Sequence, residues 1–170
     1  VSEIVSQVYQ ADRLLQGLPA DDPTRRAGGE RVTNLVFMGM GEPLHNYDAV
    51  MKSMRMLADP EGFGVNPKRV TLSTVGVVPA MAKLAEEELM PNLAISLHAT
   101  TEAQRDKLVP INRKYDIEEL IEACRQMPLR RRGKITFEYV MLAGENDSPD
   151  DARRLVRLLR GLKAKVNLLP

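Results

Sequence analysis

The chain of 170 residues has one cysteine, no tryptophan, 4% aromatic residues and a formal net charge of only +1. One cysteine cannot form an internal disulfide and cannot by itself hold a metal cluster. A balance of 24 basic against 23 acidic residues gives no global argument for a nucleic-acid-binding surface. The shortage of aromatic side chains also disfavours recognition of unpaired bases by a stacking platform.

Long apolar runs are missing as well. No apolar stretch approaches the roughly 20 residues that a membrane-spanning helix needs. Polar residues such as Glu3 and Gln7 interrupt the first segment, which is typical of an amphipathic helix rather than a signal peptide. With 44% apolar and 28% charged residues, the chain has the composition of one globular domain. We therefore expect a cytoplasmic protein with no membrane partner.

Two local features carry less weight. Arg130-Arg131-Arg132 with Lys134 could contact phosphate, but a charge run is more often a solvated face. Cys124 lies at a helical spacing from Ile117, Leu120 and Ile121, so we expect a small hydrophobic residue that faces the core.

The hydrophobic pattern predicts one helix, then four alternations of strand and helix, and a last strand. The predicted strands cover 33–38, 69–74, 92–97, 135–142 and 166–169. The predicted helices cover 1–18, 46 or 47 to 57, 79–89, 101–108, 116–126 and 149–162, and a polar surface loop covers 19–30. Short strands joined by helices predict right-handed βαβ units and a parallel sheet. Because the chain opens on a helix and ends on a strand, we expect the middle of a larger barrel with both sheet edges unprotected.

The first predicted strand ends in Met-Gly-Met-Gly-Glu-Pro, residues 38–43. Gly39 and Gly41 allow unusual dihedrals and a close approach of a ligand to the backbone, and Pro43 stops the strand. Glu42 then lies at the carboxyl end of a strand, where open α/β proteins and barrels bind ligands. A tight turn with an ordinary solvated glutamate is the alternative, because glycine motifs alone are weak signals.

Polar residues follow the other strands too: Ser73-Thr74, Ser96 and His98, Glu138 with Tyr139, and Asn167. Together they predict a polar rim with donors and acceptors suited to an amino acid plus a ribose, without a strong nucleophile. Singly, Ser73 and Ser96 are more often strand-end residues that bond nearby backbone, and His98 is more often an ordinary interior or rim histidine. Asn167 is harder to explain that way, because a buried amide needs partners.

Five segments together resemble a known family. They are residues 36–44, 69–79, 93–99, 138–142 with Asn146-Asp147, and 165–170. In this order they look like the radical S-adenosylmethionine methyltransferases that methylate C2 of adenine in 23S ribosomal RNA and transfer RNA. The resemblance covers nearly the whole chain.

The resemblance implies a partial (β/α)6 barrel, with residues 1–170 forming a partial core domain that supplies strands two to six. It implies that Gly41 and Glu42 hold the amino group of S-adenosylmethionine. Ser73 and the strand end Ser96-Leu97-His98 would hold its carboxylate, ribose or adenine side, and Asn167 would close over the nucleoside. No catalytic residue and no metal ligand is assigned within the chain.

Several family features are missing from these 170 residues. They are the Cys-x3-Cys-x2-Cys loop for a [4Fe-4S] cluster, the methyl-carrying cysteine, the catalytic glutamate and the amino-terminal RNA-binding domain. We therefore expect an inactive fragment of a longer enzyme that acts on 23S rRNA and tRNA, with self-association through exposed sheet edges. Two alternatives stay open: a relative that methylates adenine C8, and a degenerate barrel that binds a nucleoside or RNA without catalysis.

Overall fold

A computed structural model describes residues 1–18 and 31–170, so the loop predicted over 19–30 lies outside the described residues. The described part forms a five-stranded parallel sheet in which each strand pairs with the next along the chain. The strands are β1 (Leu35–Phe37), β2 (Val70–Thr74), β3 (Asn92–Ser96), β4 (Ile135–Val140) and β5 (Ala164–Leu169). The α-helices are α1 (Ser2–Gln16), α2 (Tyr47–Ala58), α3 (Val78–Ala85), α4 (Glu102–Leu108), α5 (Ile117–Gln126) and α6 (Pro149–Leu158). Short 3₁₀ helices cover Pro43–Asn46, Pro67–Arg69 and Pro110–Arg113.

The predicted order of elements and the parallel sheet are confirmed, but several element ends differ, three of them for a clear physical reason. The first strand is shorter than expected because the turn begins at Gly39, whose φ is +122°. Helix α3 stops at Ala85, four residues early, where the run Glu86-Glu87-Glu88 would meet the negative end of the helix dipole. Helix α6 stops at Leu158, shortly before Gly161 with φ +82°.

Spacings of three and four predict an apolar face on the first helix that includes Val8 and Leu14, and this prediction is wrong in part. Val8 is buried, but Leu14 is 74% exposed and the acidic Asp12 is only 7% exposed. Asp12 accepts hydrogen bonds from the backbone N–H of Val32 at 2.9 Å and from Nε2 of Gln16 at 2.6 Å. A polar anchor to the segment before β1 therefore takes the place of part of the expected apolar contact.

The two faces of the sheet differ in chemistry. Leu72, Ile95 and Phe137 are fully buried on one face, in a core completed by α2, α3 and α5. Because side chains alternate along a strand, the next residues, Ser73, Ser96 and Glu138, lie on the opposite face. Near the carboxyl ends of the strands, the sheet therefore presents apolar side chains to the helices and polar side chains to the inner face of the partial barrel.

Candidate functional site

The turn after β1 is built on two glycines. Gly39 and Gly41 have φ of +122° and +100°, and a Cβ on either would meet no atom within 4 Å. Dihedral freedom rather than lack of space therefore requires glycine at these positions. The open space beside them also leaves this stretch of backbone accessible.

Glu42 ties this turn to its neighbour. One carboxylate oxygen accepts the N–H of Leu44 at 2.9 Å and so caps the 3₁₀ helix, and the other accepts the N–H of Val75 at 2.8 Å. Val75 directly follows β2. Both oxygens thus hold backbone in place, and only their remaining lone pairs are left for a ligand.

A row of polar side chains crosses the last three strands. Ser96 on β3 is paired with Glu138 on β4, and Glu138 is paired with Asn167 on β5. Nδ2 of Asn167 donates to one carboxylate oxygen of Glu138 at 2.7 Å. The other oxygen of Glu138 accepts no hydrogen bond from the described residues, although Glu138 is only 9% exposed. The expected burial of the Asn167 amide is wrong, because β5 is an edge strand and leaves this residue exposed.

His98 has an unusual backbone and a defined imidazole contact. Its φ of +55° is the only positive φ among the non-glycine residues that the structure describes. Its Nδ1 accepts the N–H of Val140 at 3.1 Å, so the proton of the neutral ring is on Nε2. Burial lowers the pKa of His98 and the positive charge of Arg105 lowers it further, while Glu138 acts in the opposite direction. The imidazole is therefore neutral at physiological pH.

Arg105 supports this rim from below. The side chain is fully buried, and it donates to the carbonyl oxygens of Val75 at 2.6 Å and Ser96 at 3.4 Å and to Oδ1 of Asn112 at 2.9 Å. Burial lowers the pKa of Arg105 to about 10, and Glu102 opposes that shift, so the guanidinium stays charged at neutral pH. It thereby fixes the ends of β2 and β3 relative to each other.

A cavity of about 380 Å³ lies at the carboxyl ends of the strands, and Arg105 lies outside its lining. Six of the seven residues predicted for ligand binding line it: Gly41, Glu42, Ser73, Ser96, His98 and Asn167. The seventh, Leu97, does not line it; its side chain is fully buried in the core, and its N–H donates to the carbonyl of Glu138 at 3.1 Å. Glu138, which the sequence placed in the polar rim but not among the residues assigned to the ligand, lines the cavity as well.

Cys124 is a core residue, as predicted. It is 1% exposed on α5, and burial raises the pKa of its thiol to about 12, with Arg105 acting in the opposite direction. Over residues 1–18 and 31–170, no group of three or more His, Cys, Asp or Glu side chains is arranged to hold a metal ion. No helix within those residues is both long enough and apolar enough to cross a membrane.

Comparison with known proteins identifies the architecture. Residues 15–158 match the model of the radical SAM superfamily. A dual-specificity RNA methyltransferase RlmN from Nitrobacter winogradskyi is 55% identical over 170 residues, which cover 99% of this chain and 42% of the relative. A protein of the same name from Anaeromyxobacter dehalogenans is 51% identical over 168 residues, covering 99% of this chain and 44% of the relative.

The fold is similar to that of a solved structure. The crystal structure of a radical SAM methyltransferase from Sphaerobacter thermophilus superposes with a TM-score of 0.86 at 45% identity. The match covers 99% of this chain and 46% of that one. The chain therefore spans less than half the length of the relatives it matches.

Proposed function

Since this chain belongs to the radical SAM superfamily, we propose that the cavity at the carboxyl ends of its strands binds S-adenosylmethionine. The observation that carries the proposal is the gathering of polar or glycine positions from all five strands, with Glu138 as the polar residue of β4, around a cavity of about 380 Å³. Pockets for small molecules are commonly of this size and have a few convergent polar groups. S-adenosylmethionine would supply the methyl group of the reaction.

The order of the strands gives the ligand a direction. Gly41, Glu42 and Ser73 lie at the ends of β1 and β2, and Asn167 lies on β5 at the other side of the sheet. We assign the methionine end to the β1–β2 side, where remaining lone pairs of Glu42 accept the ammonium group. The hydroxyl of Ser73 suits its carboxylate.

The nucleoside end then extends across β3 to β5. Ser96 and the Nε2–H of His98 offer donors, Asn167 offers an amide, and Glu138 has an oxygen free to accept from a ribose hydroxyl. Leu97 contributes only its backbone position, because its side chain lies in the core. We therefore add Glu138 to the binding residues proposed from the sequence.

The residues of this chain do not fit a [4Fe-4S] cluster of the kind that the superfamily generally uses. Three or four thiolates are needed, and the single cysteine is buried on a helix outside the cavity. Ligands for a cluster would have to come from residues other than these 170. We derive no reaction step through it.

For the whole protein to which the chain belongs, we propose methylation of C2 of adenine in 23S rRNA and tRNA in the cytoplasm. The support is the RNA methyltransferase name shared by relatives that match 99% of this chain. Residues 1–170 would form the partial core domain. The cluster-binding loop, the RNA-binding domain and the methyl-carrying cysteine would lie in other parts of the protein.

Binding of S-adenosylmethionine to the chain can be measured by titration calorimetry. We expect weak binding, because the rim supplies mainly neutral hydrogen bonds worth about 0.5–1.5 kcal/mol each. Asn167→Ala should weaken it by roughly twofold to tenfold, and Glu42→Ala, which removes a charge-assisted contact, by at least as much. Glu118→Ala and Asn34→Ala, at exposed positions outside the cavity, are the matched controls. Tight binding that neither cavity substitution changes would place the ligand elsewhere.

The reaction itself requires the whole protein. Expressed in a bacterial strain that lacks its own adenine-C2 methyltransferase, it should restore 2-methyladenosine to 23S rRNA and tRNA, detected by mass spectrometry of digested RNA. Appearance of 8-methyladenosine would instead establish the C8 reaction. RNA without either base, from cells that make the folded protein, would favour a binding module without catalysis.

A further inference from the structure

Asn146 occupies a central position in the turn after β4. It is 1% exposed, and its side chain makes three hydrogen bonds to backbone. Nδ2 donates to the carbonyl oxygens of His98 at 2.7 Å and Val140 at 2.8 Å, and Oδ1 accepts the N–H of Leu142 at 2.7 Å. One amide thus joins the end of β3 to the end of β4.

The segment that Asn146 holds is strained. His98 has φ of +55°, a left-handed conformation that disfavours residues with a Cβ. Two further bonds support it, from the N–H groups of Leu97 and His98 to the carbonyl of Glu138 at 3.1 and 3.3 Å. The bond from Asn146 to the carbonyl of His98 is the remaining contact that fixes this peptide in the described structure.

The same amide controls the partner of the imidazole. The N–H that reaches Nδ1 of His98 belongs to Val140, and Asn146 holds the carbonyl of Val140 and the N–H of Leu142. Without Asn146, the backbone that carries His98 and the backbone that donates to its ring would each lose an anchor, while the bonds to the carbonyl of Glu138 would remain. The contact that makes Nδ1 an acceptor would then be weakened.

We propose that Asn146 is a positioning residue that keeps His98 in its Nε2–H tautomer, as a donor for an acceptor atom of a bound ligand. A carboxylate or a ring nitrogen of a purine is an acceptor of this class. The part that concerns the ligand rests on the function proposed above, whereas the tautomer is a property of the protein alone. Asn146 itself does not line the cavity; it acts through His98 and Val140, which do.

The tautomer can be measured directly, because the chain has only two histidines, His45 and His98. Long-range ¹H–¹⁵N correlation spectra of the histidine-labelled full chain, without ligand, should show His98 as the Nε2–H form. His45 is exposed and serves as an internal reference. A wild-type spectrum with the proton on Nδ1 overturns the proposal without any substitution.

Variants test the role of Asn146. Asn146→Ala removes all three bonds, and Asn146→Asp keeps the acceptor for Leu142 but turns carboxylate oxygens toward two carbonyls. In both variants, a part of the His98 rings should carry the proton on Nδ1 instead of Nε2. Tyr139→Phe is the control: it removes the bond from the Tyr139 hydroxyl to the carbonyl of Asn146 at 2.7 Å but leaves the Asn146 side chain in place, so the tautomer should not change. An unchanged tautomer in either folded Asn146 variant overturns the proposal.

The ligand arm uses S-adenosylmethionine as the probe. Asn146→Ala and His98→Ala should each weaken binding by roughly twofold to tenfold, the range of one neutral hydrogen bond. The double variant should bind no more weakly than His98→Ala alone. If the losses in affinity from the two substitutions add in the double variant, Asn146 does not act through His98 and the proposal is overturned. If the wild type does not bind the probe at all, the proposed function fails while the tautomer result still decides the role of Asn146.

Discussion

Gly76, in the turn after β2, should be among the positions least tolerant of a side chain. Its φ is +100°, and a Cβ there would lie 2.5 Å from Cδ1 and 3.3 Å from Cδ2 of Leu120. Leu120 is fully buried in the core, so its side chain has little room to move away. Two costs therefore act together, one from the backbone and one from packing.

The size of the effect follows from these two costs. A left-handed conformation costs a residue with a Cβ about 1–2 kcal/mol, and overpacking a core typically costs about 1–3 kcal/mol. We expect Gly76→Ala to lower the free energy of unfolding by about 2–5 kcal/mol, the sum of those ranges. Gly144→Ala is the matched control, since Gly144 has φ of +75° but no atom within 4 Å of the Cβ position. Gly144→Ala should lower the free energy of unfolding only by the cost of the left-handed backbone conformation.

Urea unfolding followed by circular dichroism measures both variants, with the loss read from the midpoint at a constant slope. Adding Leu120→Ala to Gly76→Ala should cost less than the sum of the single changes, because the smaller side chain makes room for the new Cβ. Equal losses in the two glycine variants, together with additive behaviour with Leu120→Ala, would refute the packing argument. The turn also matters for the cavity, since Val75 donates to Glu42 and accepts from Arg105.

Three further predictions concern charge, the thiol and the sheet edge. Burial alone would raise the pKa of Asp151, but hydrogen bonds from Ser148, Thr100, Gln104 and Arg154 outweigh it and hold that pKa well below its usual range. The carboxylate therefore stabilises the fold above about pH 4, the ordinary aspartate pKa, and that contribution is lost as pH falls toward the lower folded-state value. Asp151→Asn should lower the free energy of unfolding at pH 7, by a margin that narrows in acid. Asp150→Asn, at the exposed neighbour, should change little in the same urea titrations. Because Cys124 is buried and its thiol has a pKa of about 12, the thiol should react with a disulfide reagent only when the chain unfolds. Anaerobic reconstitution with iron and sulfide should leave the chain colourless. A stable visible absorption that Cys124→Ala abolishes would contradict the prediction of an inert thiol. Val36 and Met38 are 58% and 59% exposed beside the free edge of β1. Light scattering should therefore detect dimers at high concentration, and Val36→Lys should reduce the dimer fraction. A wild-type monomer at every concentration would show that this edge does not pair with a second copy.

The sequence predicted the sheet and most of the rim because both depend on local patterns. The run Gly39 to Pro43 ends a strand by its own backbone preferences, and Ser73 and Ser96 follow from alternation within short strands. The family resemblance drawn from five segments is confirmed by the match to the radical SAM superfamily and by the RlmN relatives. These features require no knowledge of which distant residues meet.

The parts that could not be predicted depend on contacts between residues that lie far apart in the sequence. Arg105 reads as a surface residue in the polar pattern Glu-Ala-Gln-Arg-Asp-Lys, yet it is fully buried because the carbonyls of Val75 and Ser96 lie above it. Asn146 reads as an ordinary turn residue, although its amide is satisfied 48 positions away at His98. A local pattern contains no information about contacts at that separation. The early ends of α3 and α6 did have local signals, in the glutamate run after Ala85 and in Gly161.

The pairing of Glu138 with Asn167 shows the same limit and can itself be tested. It depends on the register of β5, which begins at Ala164 rather than at the predicted residue 166. Asn167→Asp would place two carboxylates side by side on adjacent strands and should cost about 1 kcal/mol, the usual size of a cross-strand pair effect. Such a pair shares a proton most easily in acid, so its folded-state pKa would rise and the cost should be smaller at pH 4 than at pH 7. Adding Glu138→Gln restores one donor facing one acceptor and should recover most of the lost stability. Urea unfolding that shows no pH dependence of the cost and no recovery in the double variant would mean that these two side chains are not neighbours in solution.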